Sequence, residues 1–364
     1  DPGCGDTIRI LDSDGIYLAT GSYSPVSQIR SRIWTWDAID LIDSNFFQVK
    51  LDQAIRMRSM IIDPSISDAV RLVHGESDHL PGVIVDQYAG NLVVQILSCG
   101  AERWRDSIVS LLAEQIKPLM IYERSDVDVR KLEGLAAREG SLWGTEPAEP
   151  IQISENGLKF LVDYKGGHKT GFYIDQREIR QIVRSIAEGK DVLDCFCYSG
   201  GFTVSALTGG ANSVTAVDSS GSAIELLKQN VQLNHLDQSN LSTINGDVFK
   251  VLRTMRDSRR TFDLIILDPP KFAPTSAQVS RATRAYKDIN LLALKLLRPG
   301  GFLVTFSCSG GVSIELFQKI IAGAALDAGV YVKVIRMLSQ ASDHPIALNF
   351  PEGGYLKGII AIKD

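Results

Sequence analysis

The residue types able to do covalent or recognition chemistry gather in the second half of the chain, and the first of them is a thiol. Leu303-Val-Thr-Phe-Ser307 reads as a strand that ends on the small polar loop Cys308-Ser309-Gly310. A thiol is mostly protonated near neutral pH, yet it is intrinsically a strong nucleophile once ionised. A buried cysteine is more often an inert small hydrophobe, and that reading suits Cys4, Cys99, Cys195 and Cys197. Cys308 differs because it lies just past its strand, between serines and ahead of glycines. A second stretch, Asp268-Pro269-Pro270-Lys271-Phe272, follows a run of apolar residues, so Asp268 stands at the carboxyl end of another strand. Its two prolines fix the backbone and remove two N–H donors. That suits a rigid platform beneath a planar base; a plain turn is the alternative.

The third stretch is Asp194-x-Phe196-x-x-x-Gly200-Gly201, which leaves an apolar strand and runs into the helical Phe202-Thr-Val-Ser-Ala-Leu207. A strand that turns through glycines into a helix brings backbone close to a nucleotide-like ligand. The dinucleotide fingerprint G-x-G-x-x-G is missing. Asp218 ends the next strand, where an acid can accept both hydroxyls of a ribose. Asn245-Gly246-Asp247 ends the one after, with Val248 and Phe249 beside it. Any one of these acids could instead be a helix N-cap or turn residue. Four acid-bearing strand ends in series resemble class I S-adenosylmethionine (SAM) methyltransferases. In that arrangement Asp194, Phe196 and Gly200 surround the methionine and sulfonium, Asp218 holds the ribose and Asp247 accepts from the adenine amino group.

The elements that must position these residues alternate regularly from residue 175 onward. Strands are expected at 191–195, 213–217, 241–245, 262–267, 301–306, 330–336 and near 355–362, with helices between the first six. Such alternation predicts a seven-stranded, mostly parallel sheet covered by helices on both faces, a Rossmann-like α/β domain. Before it, Asn156-Gly157 between two apolar runs predicts a hairpin. Short strands at 7–11, 15–19 and 28–34 read as part of a small β-barrel. In the last of these, Ile29 and Ile33 alternate with Arg30 and Arg32, predicting one buried and one basic face. The spacing at 45–61 predicts a connecting helix. The expected organisation is a partial barrel over 1–40, the linking helix within 41–66, an α+β domain over 67–150 and the Rossmann-like domain with its hairpin over 151–364.

The 364 residues are 45% hydrophobic and 22% charged, as in ordinary globular proteins. No apolar run is long enough to span a membrane. The five cysteines are odd in number and scattered, which argues for a reducing cytosol rather than a disulfide framework. Cys195-x-Cys197 lacks a second ligand pair at zinc spacing, so no metal is expected. The chain opens Asp1-Pro2 without Met, so an earlier segment is expected to be missing. Its formal net charge is −5, yet Lys250–Arg298 carries eleven Lys or Arg against four Asp. Lys271, Arg281, Arg284 and Lys287 in that segment can follow a phosphate backbone; a solvated helix face balanced by nearby acids is the alternative.

The chain resembles the PUA-domain ribosomal RNA large subunit methyltransferase I group. The resemblance rests on Gly167-His-Lys-Thr-Gly-Phe-Tyr-Ile-Asp-Gln-Arg177, Cys195-Phe-Cys-Tyr-Ser-Gly-Gly-Phe202, Asp268-Pro-Pro-Lys-Phe272, Tyr286-Lys-Asp-Ile-Asn290, Phe306-Ser-Cys-Ser309 and Pro351-Glu-Gly-Gly-Tyr-Leu-Lys-Gly358. It implies a PUA RNA-binding barrel, here lacking its opening strands, with Arg30 and Arg32 on its RNA side. It also implies SAM as cofactor, held additionally by Lys169, Phe172, Asp175, Gln176 and Asp268. Large-subunit rRNA is the implied partner, in the cytoplasm, with no membrane and with a homodimer compatible. The implied product is 5-methylcytosine. Cytosine C5 is too electron-poor to take a methyl group directly. Addition of the Cys308 thiolate to C6, with Asp268 holding N3 and the amino group, makes C5 enamine-like. Loss of the C5 proton and of the thiol then restores aromaticity. Lys271, Lys169 or a water is the candidate base. Many relatives in the wider RNA cytosine-C5 group use a second cysteine where this chain has Pro270. The alternatives are methylation of a base nitrogen, which needs no thiol, and a SAM-fold rRNA-binding assembly factor without turnover.

Overall fold

The structure, a computed structural model, describes residues 1–147, 150–272 and 279–364. The chain divides into two compact units. The first comprises Asp1–Gly157, Leu161–Ile174 and Ser342–Gly353; the second comprises Leu158–Phe160, Asp175–Ala341 and Gly354–Asp364.

In the first unit, β1 (Thr7–Leu11), β2 (Tyr17–Tyr23) and β3 (Ser31–Thr35) form a three-stranded antiparallel sheet. The expected alternation across Ile29–Ile33 is not realised. The strand begins at Ser31, Ile29 is 53% exposed, and the buried end is Trp34-Thr35. Helix α1 (Ser44–Ile61) starts on Asp43, whose carboxylate accepts from the Phe46 backbone N–H. A five-stranded sheet follows from β4 (Ala69–His74), β5 (Val83–Tyr88), β6 (Asn91–Ile96), β7 (Met120–Ser125) and β8 (Arg138–Gly144) in that order. Helices α2 (Cys99–Arg103) and α3 (Arg105–Ile116) separate β6 from β7, and α4 (Val129–Leu132) follows β7. Phe47 and Leu51 of α1 share a core with Val85, Val94 and Leu112. One expectation is overturned here: Cys4 and Cys99 are not inert thiols but form a disulfide, with Cα atoms 5.4 Å apart. Ninety-five positions separate them, so no local spacing signals the pair; folding alone brings them together.

A hairpin follows, of β9 (Ile151–Glu155) and β10 (Leu158–Val162). Its Asn156 and Gly157 both take positive φ, 53° and 77°, as a two-residue type I′ turn requires.

The second unit is built on seven strands. They are β11 (Asp191–Cys195), β12 (Ser213–Asp218), β13 (Leu241–Asn245), β14 (Phe262–Leu267), β15 (Leu297–Ser307), β16 (Val332–Leu338) and β17 (Lys357–Lys363). The sheet runs β13-β12-β11-β14-β15-β17-β16; β13 through β15 pair in parallel and β17 is antiparallel to both its neighbours. This is the expected fold class. Strands buried on both faces read as continuous apolar runs, as in Leu264–Leu267. The helices are α5 (Arg177–Ile186), α6 (Gly201–Thr208), α7 (Gly221–Leu233), α8 (Val248–Asp257), α9 (Val279–Leu296) and α10 (Ile314–Ala328). Helix α9 buries Ala282, Tyr286, Ile289, Asn290 and Ala293, a stripe at helical spacing. Because the first four parallel strands point the same way, their loops collect the acid-bearing ends at one edge of the sheet.

Candidate functional site

The turn from β11 into α6 is tight and strained. Phe196, Tyr198 and Gly200 all take positive φ, at 62°, 47° and 83°, a conformation two non-glycine residues adopt only where the surroundings enforce it. A Cβ on Gly200 would lie 2.5 Å from Leu227 Cγ, so the helix–strand packing needs glycine there. Asp194 is buried at the end of β11. Its Oδ2 accepts from the Thr203 hydroxyl at 2.6 Å, while Oδ1 is buried without a hydrogen bond. Burial, then the nearby carboxylates Asp268 and Asp218, push its pKa up to about 7. A buried acid in this state is poised to ionise beside a cation, and the unmet Oδ1 fits a positively charged ligand such as a sulfonium.

Asp218, at the end of β12, is not the cap of α7; Ser220 is, accepting from the Ala223 N–H. Asp218 instead ties two loops, accepting from the Tyr198 N–H at 2.9 Å through Oδ2 and the Ser220 N–H at 2.8 Å through Oδ1. Each oxygen keeps a second lone pair for a hydroxyl donor. Asp247 is exposed and caps α8, accepting from the Lys250 N–H at 2.9 Å. Val248 is buried behind it and Phe249 partly so.

The loops after β14 and β15 bring the thiol and the proline motif together. Cys308 Sγ lies 4.0 Å from the Pro269 carbonyl oxygen. Asp268 is partly exposed, its N–H donates to Cys195 O at 3.3 Å, and its Oδ2 accepts from Gln176 Nε2 at 2.9 Å. Asp175 accepts from the Tyr355 hydroxyl at 2.5 Å. Phe272 packs on Tyr286 with ring centroids 4.8 Å apart, and the Tyr286 hydroxyl meets Ser309 Oγ at 3.0 Å. Burial raises the Tyr286 pKa, keeping the phenol neutral. Lys357, opposite Ser307 in the β15–β17 register, donates to the Ser309 carbonyl at 2.9 Å. Tyr286 and Lys357 lie in quoted motifs, but nothing in their spacing tied them to the thiol. Thr203, the partner of Asp194, carried no signal beyond its place after Gly-Gly.

Lys169 and Phe172 belong to the first unit. Lys169 has φ 55° and holds its ammonium 4.4 Å from the Tyr173 ring centroid; Phe172 is buried. Arg30 is exposed and donates to the Pro25 carbonyl. Arg32 is paired to Glu76 at 2.9 Å and to Glu133 at 3.1 Å, so its guanidinium already serves the fold. In the second unit Lys271, Arg281 and Arg284 are exposed. Lys287 pairs with Asp327 at 2.8 Å, and Arg298 with Asp191 and Asp263, so the basic segment is in part the balanced helix face named as its alternative. Among the described residues no group of three His, Cys, Asp or Glu could hold a metal ion.

A family model for S-adenosylmethionine-dependent methyltransferases matches residues 135–334. The ribosomal RNA large subunit methyltransferase I of Aeromonas hydrophila is 52% identical over 361 residues, covering 99% of this chain and 91% of the relative. That of Pseudoalteromonas translucida is 50% identical over 359 residues with the same coverage. Two solved chains, each 24% identical and matched over 98% of this chain and 91% of their own, share its fold. One is a Streptococcus mutans protein described as a SAM-dependent methyltransferase, with a TM-score of 0.86; the other, described as a methyltransferase complexed with SAH, has a TM-score of 0.88.

Proposed function

The chain belongs to the SAM-dependent methyltransferases, in the ribosomal RNA large subunit methyltransferase I family, and from that premise we propose that it forms 5-methylcytosine in large-subunit rRNA through a covalent adduct of Cys308. The observation that carries this reading is the approach of the Cys308 sulfur to the Asp-Pro-Pro loop. A nitrogen-methylating enzyme needs the loop to grip its base but has no use for a thiol beside it.

SAM supplies the methyl group when bound. Asp194, Phe196 and Gly200 would hold its methionine end, with Asp175 and Gln176 contributing; Asp218 would take the ribose and Asp247 the adenine. The Cys308 thiolate adds to cytosine C6 while Asp268, oriented by Gln176, holds N3 and the amino group. The electron pair released onto C5 makes that carbon the nucleophile. Loss of the C5 proton to a base then expels the thiolate and restores the ring. Exposed Lys271, Arg281 and Arg284 would follow the RNA backbone. The N-terminal sheet is read as part of a PUA barrel. The rRNA named for the relatives supports reading the compartment as the cytoplasm.

The test is incubation with SAM and rRNA carrying 5-fluorocytosine, then denaturing electrophoresis. Fluorine cannot leave C5 as a proton does, so the enzyme stays attached. A shifted band that disappears in Cys308→Ala is the expected result. Methyl transfer to ordinary rRNA without any trapped band would replace this reading with nitrogen methylation.

A further inference from the structure

The loop that carries Cys308 is held by a cation that the adduct chemistry above does not use. Lys357 is only 8% exposed, near the start of β17. Its Nζ donates to the Ser309 carbonyl, one residue past the thiol. Among the described residues no carboxylate pairs with this ammonium. A buried ammonium without a compensating anion is costly, and the loop that this ammonium holds carries the Cys308 thiol, which can supply one.

We infer that Lys357 is the cationic partner of the Cys308 thiolate and that, through its bond to Ser309, it also fixes the loop that carries the sulfur. The β15–β17 pairing explains the placement. Ser307 and Lys357 are register partners, so their side chains leave the same face of the sheet, and the loop beginning at Cys308 turns over the lysine. When the S–H bond breaks, its proton goes to solvent and the negative charge left on sulfur neutralises the ammonium. Burial, and less so the neighbouring Lys271, lower the Lys357 pKa, and the Cys308 charge offsets part of that lowering. The other titratable groups at this place are the Tyr286 phenol from α9 and Lys271 and Asp268 on the Asp-Pro-Pro-Lys-Phe loop. The phenol is held neutral, and Asp268 opposes an anion on sulfur. Lys357 is thus a positioning and activating residue. Its meaning for methyl transfer rests on Cys308 being the nucleophile; its effect on the thiol does not.

The experiment reads the thiol directly, without RNA or SAM. The pH dependence of Cys308 alkylation by iodoacetamide is followed by peptide mass spectrometry in the native chain, Lys357→Met and Lys357→Arg. Cys195 and Cys197 are buried with raised thiol pKa values, and Cys308→Ala defines any background. The expected result is an inflection moved up by about one pH unit in Lys357→Met, slowing alkylation at neutral pH about tenfold, with Lys357→Arg close to native. An unmoved inflection in Lys357→Met would overturn the pairing. Equal upward shifts in both variants would overturn it too, because loop geometry rather than charge would then govern the thiol. Should Cys308→Ser retain methyl transfer, the adduct mechanism falls while the alkylation profile still decides the pairing.

Discussion

At the scale of single residues, Asp194 sets a measurable pH dependence. Its folded pKa of about 7 stands above the ordinary carboxyl value of 3.8. Between those values the folded chain binds more protons than the unfolded one, so its contribution to stability is present at low pH and lost as pH rises toward 7. A sulfonium cation favours the ionised form, so SAM affinity should rise from pH 6 to pH 8. Asp194→Asn, which can still accept from Thr203, should flatten that rise and stabilise the ligand-free chain at pH 8. Calorimetric titration across pH together with thermal melts checks both; an unchanged pH profile would detach Asp194 from the cofactor. Asp218→Ala should weaken SAM binding by about 1–3 kcal/mol, the cost of leaving hydrogen-bonding groups unmet. Unaltered affinity would remove Asp218 from the site.

At the scale of elements, the β11–α6 turn concentrates the cost of building the site. Three positive-φ residues within five positions persist only because β11 is buried on both faces and α6 packs against α7. Gly200→Ala puts a methyl 2.5 Å from Leu227 Cγ at a φ that disfavours any side chain, and should destabilise the chain by about 1–3 kcal/mol. Because the same turn carries Asp194 and Phe196, SAM affinity should fall with it. A variant with native melting and native affinity would mean the turn relaxes freely. At the same edge of the sheet, Cys308 depends on elements that are adjacent in the sheet and distant in sequence. Strand β17 enters between β15 and β16 and sets Lys357 opposite Ser307, while α9 carries Tyr286 to Ser309. The basic residues of α9 divide in the same way: Arg281 and Arg284 face solvent, and Lys287 is paired within the unit.

At the scale of the whole molecule, the two units can be followed separately. All four tryptophans, Trp34, Trp36, Trp104 and Trp143, lie in the first unit, so tryptophan fluorescence reports that unit alone. Reducing the Cys4–Cys99 link releases a loop of 95-residue separation and should destabilise the first unit by up to about 5 kcal/mol in the chain-entropy account. SAM binding, proposed above for the second unit, serves as the control. A fluorescence transition unmoved by reductant would show that the link contributes nothing. The strand–helix alternation from 191 onward was legible because hydrophobic periodicity and turn glycines are local signals, read out over a few residues. So were the acids at successive strand ends, which a parallel sheet must collect at one edge. The pairing of Cys4 with Cys99, the capture of Arg32 by Glu76 and Glu133, and the exposure of Ile29 were not legible, because each is settled by partners far away in the chain. Local residue types thus determined the fold class, the cofactor class and the thiol worth testing. Only the tertiary structure decided which cations remain exposed to solvent and which buried lysine stands behind the sulfur, because burial and charge pairing are properties of surroundings that no single stretch contains.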